Sequence, residues 1–352
     1  MRKFSHGTTV FFIVIKAGMS HRINHGNRQE VKRVCQMEQL FPVSVRTKLM
    51  AENWQEGVEE IRVRVGQPME FLYANGNRYL LKLNETDCFG DIHTVLNEPE
   101  RLYAAKEKDI AEMLSYISNY SLYAYREEMK HGYITVEGGH RIGIAGQTAL
   151  ENGRVSGMHH ISFLNIRVAH ERIGCAREIL PYLLYRDSIY NTLFLSAPGA
   201  GKTTYLRDSI RMISRGNGLC PGLKVCVVDE RSEIAACHMG VPQNDVGPRT
   251  DVLDGCGKAE GMMMLLRSMS PQVLAVDELG TEKDFFAVEQ AVYSGSRVLG
   301  TIHAGEIREL MEKPFLRKWM ERRIFKRFVF IMRAEDGKRK IQIYDENMEK
   351  LC

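Results

Sequence analysis

Two hydrophobic periods divide this chain. In the first part Ile61, Val63 and Val65 alternate with Arg62 and Arg64, the two-residue period of a strand with one buried face. Gly66–Pro68 interrupts that strand and Met69–Tyr73 resumes it. Asn75-Gly76 supplies a type I′ hairpin turn into a return strand over Arg78–Leu83. Met37–Asn53 reads as a helical entry, and Glu107–Tyr120 as a helix with Ile110, Met113, Leu114 and Ile117 on one face. A second short helix is expected over Leu122–Met129. Gly132–Val136 and His140–Ala145 form a hairpin across Glu137-Gly138-Gly139, and His159–Ala169 gives a last strand. Residues 37–170 are therefore expected to form a smaller α+β domain.

The second part, expected over residues 171–345, alternates short wholly apolar strands with helices. A lead-in helix, Ala176–Leu184, precedes the strands Asn191–Leu195, Leu223–Val228, Val273–Val276 and Val298–Ile302. Helices are expected from Thr203, with Leu206, Ile210 and Ile213 on a face, and over Gly261–Met269 and Phe285–Tyr293. Met262, Leu265, Leu266 and Met269 are read as a buried stripe. Apolar strands alternating with helices give an α/β fold whose mainly parallel sheet is covered on both faces. Phe325–Arg333 and Lys340–Tyr344, around Asp336-Gly337, read as a closing hairpin, and residues 346–352 as a tail.

Composition changes this picture little. The 352 residues are 44% apolar and 26% charged, with a net charge of +4, ordinary values for a globular protein and too mild to argue for nucleic acid. The eight cysteines contain no C-x-x-C pair, so neither a zinc framework nor a disulfide scaffold is indicated, and reduced thiols are expected. Residues 1–36 begin basic, and Val10–Ile15 is apolar until Lys16 cuts the run short. A spanning helix needs about 20 apolar residues, so a disordered extension is expected there, with Met37 as an alternative start and a weak membrane-surface tether as a second alternative. Arg317, Lys318, Arg322, Arg323, Lys326 and Arg327 cluster near the C-terminus with Trp319 and Phe325 interleaved. Basic residues with aromatics can bind nucleic acid, but a solvated amphipathic helix running into an edge strand is the preferred reading.

The chemistry centres on S-A-P-G-A-G-K-T-T, Ser196–Thr204, between a strand and a helix. Gly199 and Gly201 let backbone N–H groups turn inward around a phosphate. The helix aims its positive N-terminus at the same point. Lys202 can reach the β- and γ-phosphates of ATP, and Thr203 can hold Mg2+. Ser196, Ala197, Pro198, Ala200 and Thr204 complete the loop, with Ser196 where the usual phosphate-loop pattern has its first glycine.

Hydrolysis also needs carboxylates. Val273–Glu278 ends an apolar strand in Asp277, placed to hold Mg2+, and Glu278, placed to orient and deprotonate water. Val225–Glu233 ends a second strand in Asp229, Glu230 and Glu233, and Gly300–Ala304 places His303 at the end of a third. Strand carboxyl ends are where an open α/β sheet puts its ligand.

In this order the loop, D-E-R-S-E, V-L-A-V-D-E-L-G and T-I-H-A resemble the secretion ATPases of type II and type IV secretion and pilus machines. A closer resemblance covers residues 37–345 and is to the stage III sporulation AA family, on E-E-I-R-V-R-V-G-Q-P, G-G-H-R-I-G-I-A-G, S-A-P-G-A-G-K-T-T and D-V-G-P-R-T-D-V-L-D-G-C-G-K-A-E-G-M-M-M-L-L-R-S-M-S-P. The resemblance implies a RecA-like P-loop ATPase domain, loop roles for Lys202 and Thr203, acidic-box roles for Asp229 and Glu230, the Walker B glutamate at Glu278 and a histidine box at His303. The acidic box reads Asp-Glu rather than Glu-Asp, and Asp277 stands where Walker B has glycine, so the water-activating group is Glu278 or one of Asp229 and Glu230. Arg249 and Arg267 are arginine candidates of the ATPase domain itself, while the resemblance implies arginines from the preceding domain that reach the nucleotide as domains close or subunits meet, for which Arg141 and Arg167 fit. Finally it implies a homo-oligomer, a hexameric ring, working in the cytoplasm at the inner face of the mother-cell membrane with channel proteins between mother cell and forespore. The alternatives are a nucleic-acid-handling P-loop ATPase and a nucleotide-gated scaffold with little turnover.

Overall fold

The computed structural model describes residues 37–352 apart from 122–124, 131, 219, 305–308, 310–313 and 335–338. The expectations for residues 1–36, for the start of the Leu122–Met129 helix and for the Asp336-Gly337 turn fall outside the described residues. No helix among the described residues is long and apolar enough to cross a membrane.

Among the described residues the chain builds two seven-stranded sheets and one two-stranded sheet. The first contains β1 (Val58–Arg64), β2 (Glu70–Tyr73), β3 (Gly76–Leu80), β4 (Phe89–Gly90), β5 (Tyr133–Thr135), β6 (Arg141–Glu151) and β7 (Arg154–Arg167). Their order is β4-β3-β2-β1-β7-β6-β5, and every pairing is antiparallel. The alternation read in β1 is real: Ile61 and Val63 are fully buried. Helices α1 (Val43–Leu49), α2 (Ile92–Asn97), α3 (Glu107–Ile117) and α4 (Arg126–Lys130) accompany this sheet, and the four apolar residues expected on one face of α3 are all buried.

Two turns differ from expectation. The β2–β3 turn centres on Ala74 and Asn75, because Tyr73 pairs with Gly76, and neither central residue has positive φ. The type I′ signal belongs instead to Asn152-Gly153, at φ 52° and 75°, which joins β6 to β7 with Glu151 opposite Arg154.

A short hairpin, β8 (Leu184–Tyr185) and β9 (Ser188–Ile189), precedes the second sheet. The lead-in helix shrinks to α5 (Leu180–Leu183), although Ala176 and Ile179 are buried. The second sheet contains β10 (Thr192–Ser196), β11 (Val225–Asp229), β12 (Thr250–Asp254), β13 (Val273–Val276), β14 (Arg297–His303), β15 (Arg327–Arg333) and β16 (Arg339–Asp345). Its order is β12-β11-β13-β14-β10-β15-β16, parallel except for the final β15–β16 pair. Helix α6 (Lys202–Arg215) covers one face with Leu206, Ile210 and Ile213, against Phe194, Val227 and Ala275. Helices α7 (Lys258–Ser268), α8 (Glu282–Tyr293) and α9 (Pro314–Glu321) cover the other, against Leu193, Val228 and Val276. This is the mixed α/β architecture with a mostly parallel sheet that wholly apolar strands require. Met262 and Leu265 are buried as expected, but Met269 is 39% exposed, because it lies beyond the last turn of α7.

The chain between the sheets is pinned to α6. The buried Asp208 carboxylate accepts from Gly174 N at 3.0 Å, Ala176 N at 2.7 Å and Arg211 Nε at 2.8 Å. The β5–β6 turn of the first sheet touches the loop after β11: Gly138 N donates to Gln243 Oε1 at 2.9 Å, and His238 Nδ1 lies 3.1 Å from Thr135 O.

Candidate functional site

Because β10, β11, β13 and β14 run parallel, Ser196, Asp229, Asp277, Glu278 and His303 arrive at one rim. The loop after β10 turns through Gly199 at φ 74° and Gly201 at φ 109°, conformations in which a Cβ is strained. Ser196 is still in the strand with Oγ donating to Ala197 O at 2.7 Å. Its extended backbone makes no demand for glycine, which accounts for the departure from the usual pattern. Lys202 then opens α6 and is only 6% exposed.

Lys202 Nζ lies 3.1 Å from Glu278 Oε1 and 3.2 Å from His303 Nε2, and His303 Nε2 lies 2.8 Å from the same carboxylate oxygen. Arg231 Nη1 approaches Glu278 Oε2 at 3.6 Å. Burial pushes the Glu278 carboxyl up, but the bonds and charges of Lys202 and His303 outweigh it, so its pKa falls below the ordinary value. Glu278 sits at φ 53°, an uncommon conformation for glutamate. Its amide is held by Thr301 Oγ1 at 2.7 Å and Asp277 Oδ1 at 3.1 Å.

Beside it, Thr203 Oγ1 donates to Asp277 Oδ2 at 2.8 Å, while Thr301 Oγ1 bonds the other Asp277 oxygen. Thr203 and Asp277 thus present two oxygens at one point. Among the described residues no cluster of three or more His, Cys, Asp or Glu side chains could hold a metal by itself. Mg2+ commonly takes only one or two protein ligands and fills its remaining positions with phosphate and water, so this pair fits it.

The second acidic group is engaged differently. Asp229 is 1% exposed, and its carboxylate accepts from Glu233 N at 2.8 Å, Ile234 N at 3.0 Å and Ala235 N at 2.7 Å. Burial pushes its carboxyl up to about 6 against these amides. These bonds shape the loop after β11, and Asp229 shares the lining of one small cavity with Glu230, Asp277 and Glu278. Glu230 is paired with Lys258 at the start of α7, and Glu233 with Arg141 at 3.6 Å.

Arg141 and Arg167 are directly opposed on β6 and β7, so both point to one face. Arg141 stacks 3.5 Å over the Tyr133 ring, and Arg167 is exposed. Within one chain neither makes a hydrogen bond or ion pair to the phosphate loop, Asp277 or Glu278. Arg249 is occupied by Ser214 O at 3.2 Å, and Arg267 is exposed.

Sequence reasoning did not reach Thr301, Arg231, Lys258 or Arg339. Arg339 Nε donates to Ala200 O of the loop at 3.0 Å. In the basic C-terminal cluster Trp319 and Phe325 are each 2% exposed and packed on one another at 4.8 Å. They are core residues, so the cluster offers no aromatic platform for bases.

A family model described as "Sporulation stage III, protein AA" matches residues 30–351. Stage III sporulation protein AA of Bacillus subtilis (strain 168) is 40% identical over 315 residues, which span 89% of this chain and 95% of that one. The solved structure of the Legionella pneumophila ATPase DotB has a TM-score of 0.53 at 14% identity, covering 86% of this chain and 81% of its own. The pilus retraction motor PilT with bound ADP has a TM-score of 0.54 at 14% identity, covering 84% and 81%. At that identity the likeness shows the fold alone.

Proposed function

The chain belongs to the sporulation stage III protein AA family, and from that premise we propose that it is a Mg2+-dependent ATPase working as an oligomeric motor for a secretion channel used in sporulation. The observation that carries this reading is the pairing of two carboxylates with two phosphate-loop side chains: Thr203 with Asp277 at 2.8 Å, and Lys202 with Glu278 at 3.1 Å. The second sheet is read as a RecA-like core, and the ADP bound to the pilus retraction motor suits its loop.

Each residue has a distinct task. Loop amides from Gly199 to Thr204 and the N-terminus of α6 bind the phosphate chain. Lys202 binds its β- and γ-phosphates. Thr203 and Asp277 would hold Mg2+, which supplies charge neutralisation on those phosphates when bound. A terminal phosphate competes with the Glu278 carboxylate for Lys202. Once displaced, Glu278 is free to orient a water and accept its proton, with His303 beside it. Asp229 and Glu230 are less suited to that step, because one is consumed by three amides and the other by Lys258.

Phosphoryl transfer builds negative charge that a guanidinium can stabilise, with effects of about 10³–10⁵ in rate. Arg141 and Arg167 come from the first sheet and make no hydrogen bond or ion pair to the loop, Asp277 or Glu278. They are assigned to a neighbouring subunit's nucleotide, which makes the active form a homo-oligomer, read as a hexameric ring. On this reading the ring works in the cytoplasm, against the inner face of the mother-cell membrane, with channel proteins as partners. The test is phosphate release per chain as a function of protein concentration, with assembly followed by light scattering. Turnover should rise as the oligomer forms. Equal turnover per chain in monomer and oligomer would refute the subunit-coupled motor.

A further inference from the structure

The phosphate loop is flanked on both sides. On the β14 and β13 side stand His303, Asp277 and Glu278, which place the terminal phosphate there. On the β15 side stands a residue without a role so far. Strand β15 runs parallel to β10, and β16 returns antiparallel with Arg333 opposite Arg339. Leu195 is level with Phe330, so the hairpin continues three residues past that level, to Arg333, at about 3.3 Å per residue. The last residue of β15 and the first of β16 therefore stand beside the loop.

Arg339 is locked onto it. Its Nε donates to Ala200 O at 3.0 Å. A Cβ on Gly201 would lie 2.8 Å from Arg339 Nε, 3.2 Å from Nη2 and 3.3 Å from Cζ. The guanidinium thus rests on the loop glycine itself. Among the described residues its Nη groups have no hydrogen-bond or ion-pair partner. Its charge favours ionisation of Cys175 and Tyr205, against the burial that raises both pKa values. Tyr205 lies one turn into α6 and Cys175 Sγ donates to Thr204 O at 3.8 Å. This is the side of the loop away from Glu278, where the nucleotide's remaining half must emerge.

We propose that Arg339 binds the α-phosphate and nucleoside half of the nucleotide from the same chain, using the Nη donors and flat face that its Ala200 bond leaves free. The assignment rests on reading the loop as a nucleotide site. A guanidinium is suited to it: it stays charged, it forms charge-assisted bonds to phosphate, and its plane stacks on rings. It also ties the closing hairpin to nucleotide occupancy.

The test is calorimetric titration of the full chain in Mg2+ with ADP, a non-hydrolysable ATP analogue and inorganic pyrophosphate, for wild type, Arg339→Ala, Arg339→Lys and Lys202→Ala. Arg339→Ala should weaken ADP and the ATP analogue by the same factor, about tenfold from the loss of a charged hydrogen bond. Pyrophosphate, which fills the subsites at Lys202 and Glu278, should change less than twofold. Arg339→Lys should recover part of the ADP affinity. Unchanged ADP affinity, or an equal loss for pyrophosphate, would overturn the assignment to Arg339 while leaving the site intact. Wild type that binds no nucleotide, or binding that survives Lys202→Ala, would overturn both readings.

Discussion

Replacing Glu278 with glutamine separates binding from chemistry, and the geometry fixes the direction of both effects. The Glu278 carboxylate lies 3.1 Å from Lys202 Nζ, with the two side chains 26% and 8% exposed. That contact must break before Lys202 can serve a phosphate. The amide of Glu278→Gln still accepts from the charged Lys202 but lacks the carboxylate's charge, so the contact should weaken by up to about 1 kcal/mol and ATP binding should tighten by up to about fivefold. Turnover should fall by about 10²–10⁴, the usual contribution of a positioned general base. The assays are fluorescence titration with a labelled ATP and single-turnover phosphate release. Weaker ATP binding would refute the competition between carboxylate and phosphate. Phosphate release within a few-fold of wild type would move the base to Asp229 or Glu230.

Asp229 should leave a signature in stability. Its folded pKa, about 6, exceeds the ordinary 3.8, so its contribution is complete below about 3.8 and is lost as pH rises through 6. Relative to Asp229→Asn, the wild-type chain should lose up to about 3 kcal/mol between pH 4 and 7, at 1.36 kcal/mol per tenfold change in proton affinity. Urea unfolding across that range checks it, and a flat difference would show that Asp229 is not held as described. Arg141→Ala or Arg167→Ala should keep nucleotide affinity and cut turnover by orders of magnitude. Mixing either with Lys202→Ala should restore activity, since one chain brings the arginine and the other the loop. Absence of rescue in rings shown to contain both variants would exclude action between subunits.

The parts of the site that were legible in the sequence are local ones. Ser196–Thr204 announces itself because strand, glycine loop and helix N-terminus are consecutive, and Asp277 and His303 were legible because each closes a short apolar strand. What the sequence hid depends on pairing across the sheet. Thr301 supports Asp277 and Glu278 only because β14 lies between β13 and β10. Arg339 reaches Ala200 only because β15 pairs with β10 and β16 returns beside it. Neither position carries a mark of its own. The outer half of the β6–β7 hairpin was missed for another reason. Residues 145–151 of β6 are exposed or half-buried throughout, so no buried face imposes a hydrophobic alternation there. An Asn-Gly pair stands at both 75–76 and 152–153, but the positive-φ turn forms only at the second.

The central claim is that Lys202, Thr203 and Asp277 together make a Mg2+-nucleotide site. The measurement that tests it most directly is equilibrium titration of the wild-type chain with ATP, with and without Mg2+, beside Lys202→Ala and Asp277→Asn. The account expects saturable ATP binding by wild type that strengthens with Mg2+. It expects the binding to be lost in Lys202→Ala, and only the Mg2+ enhancement to be lost in Asp277→Asn. No binding by wild type, or binding to Lys202→Ala equal to that of wild type, would contradict it.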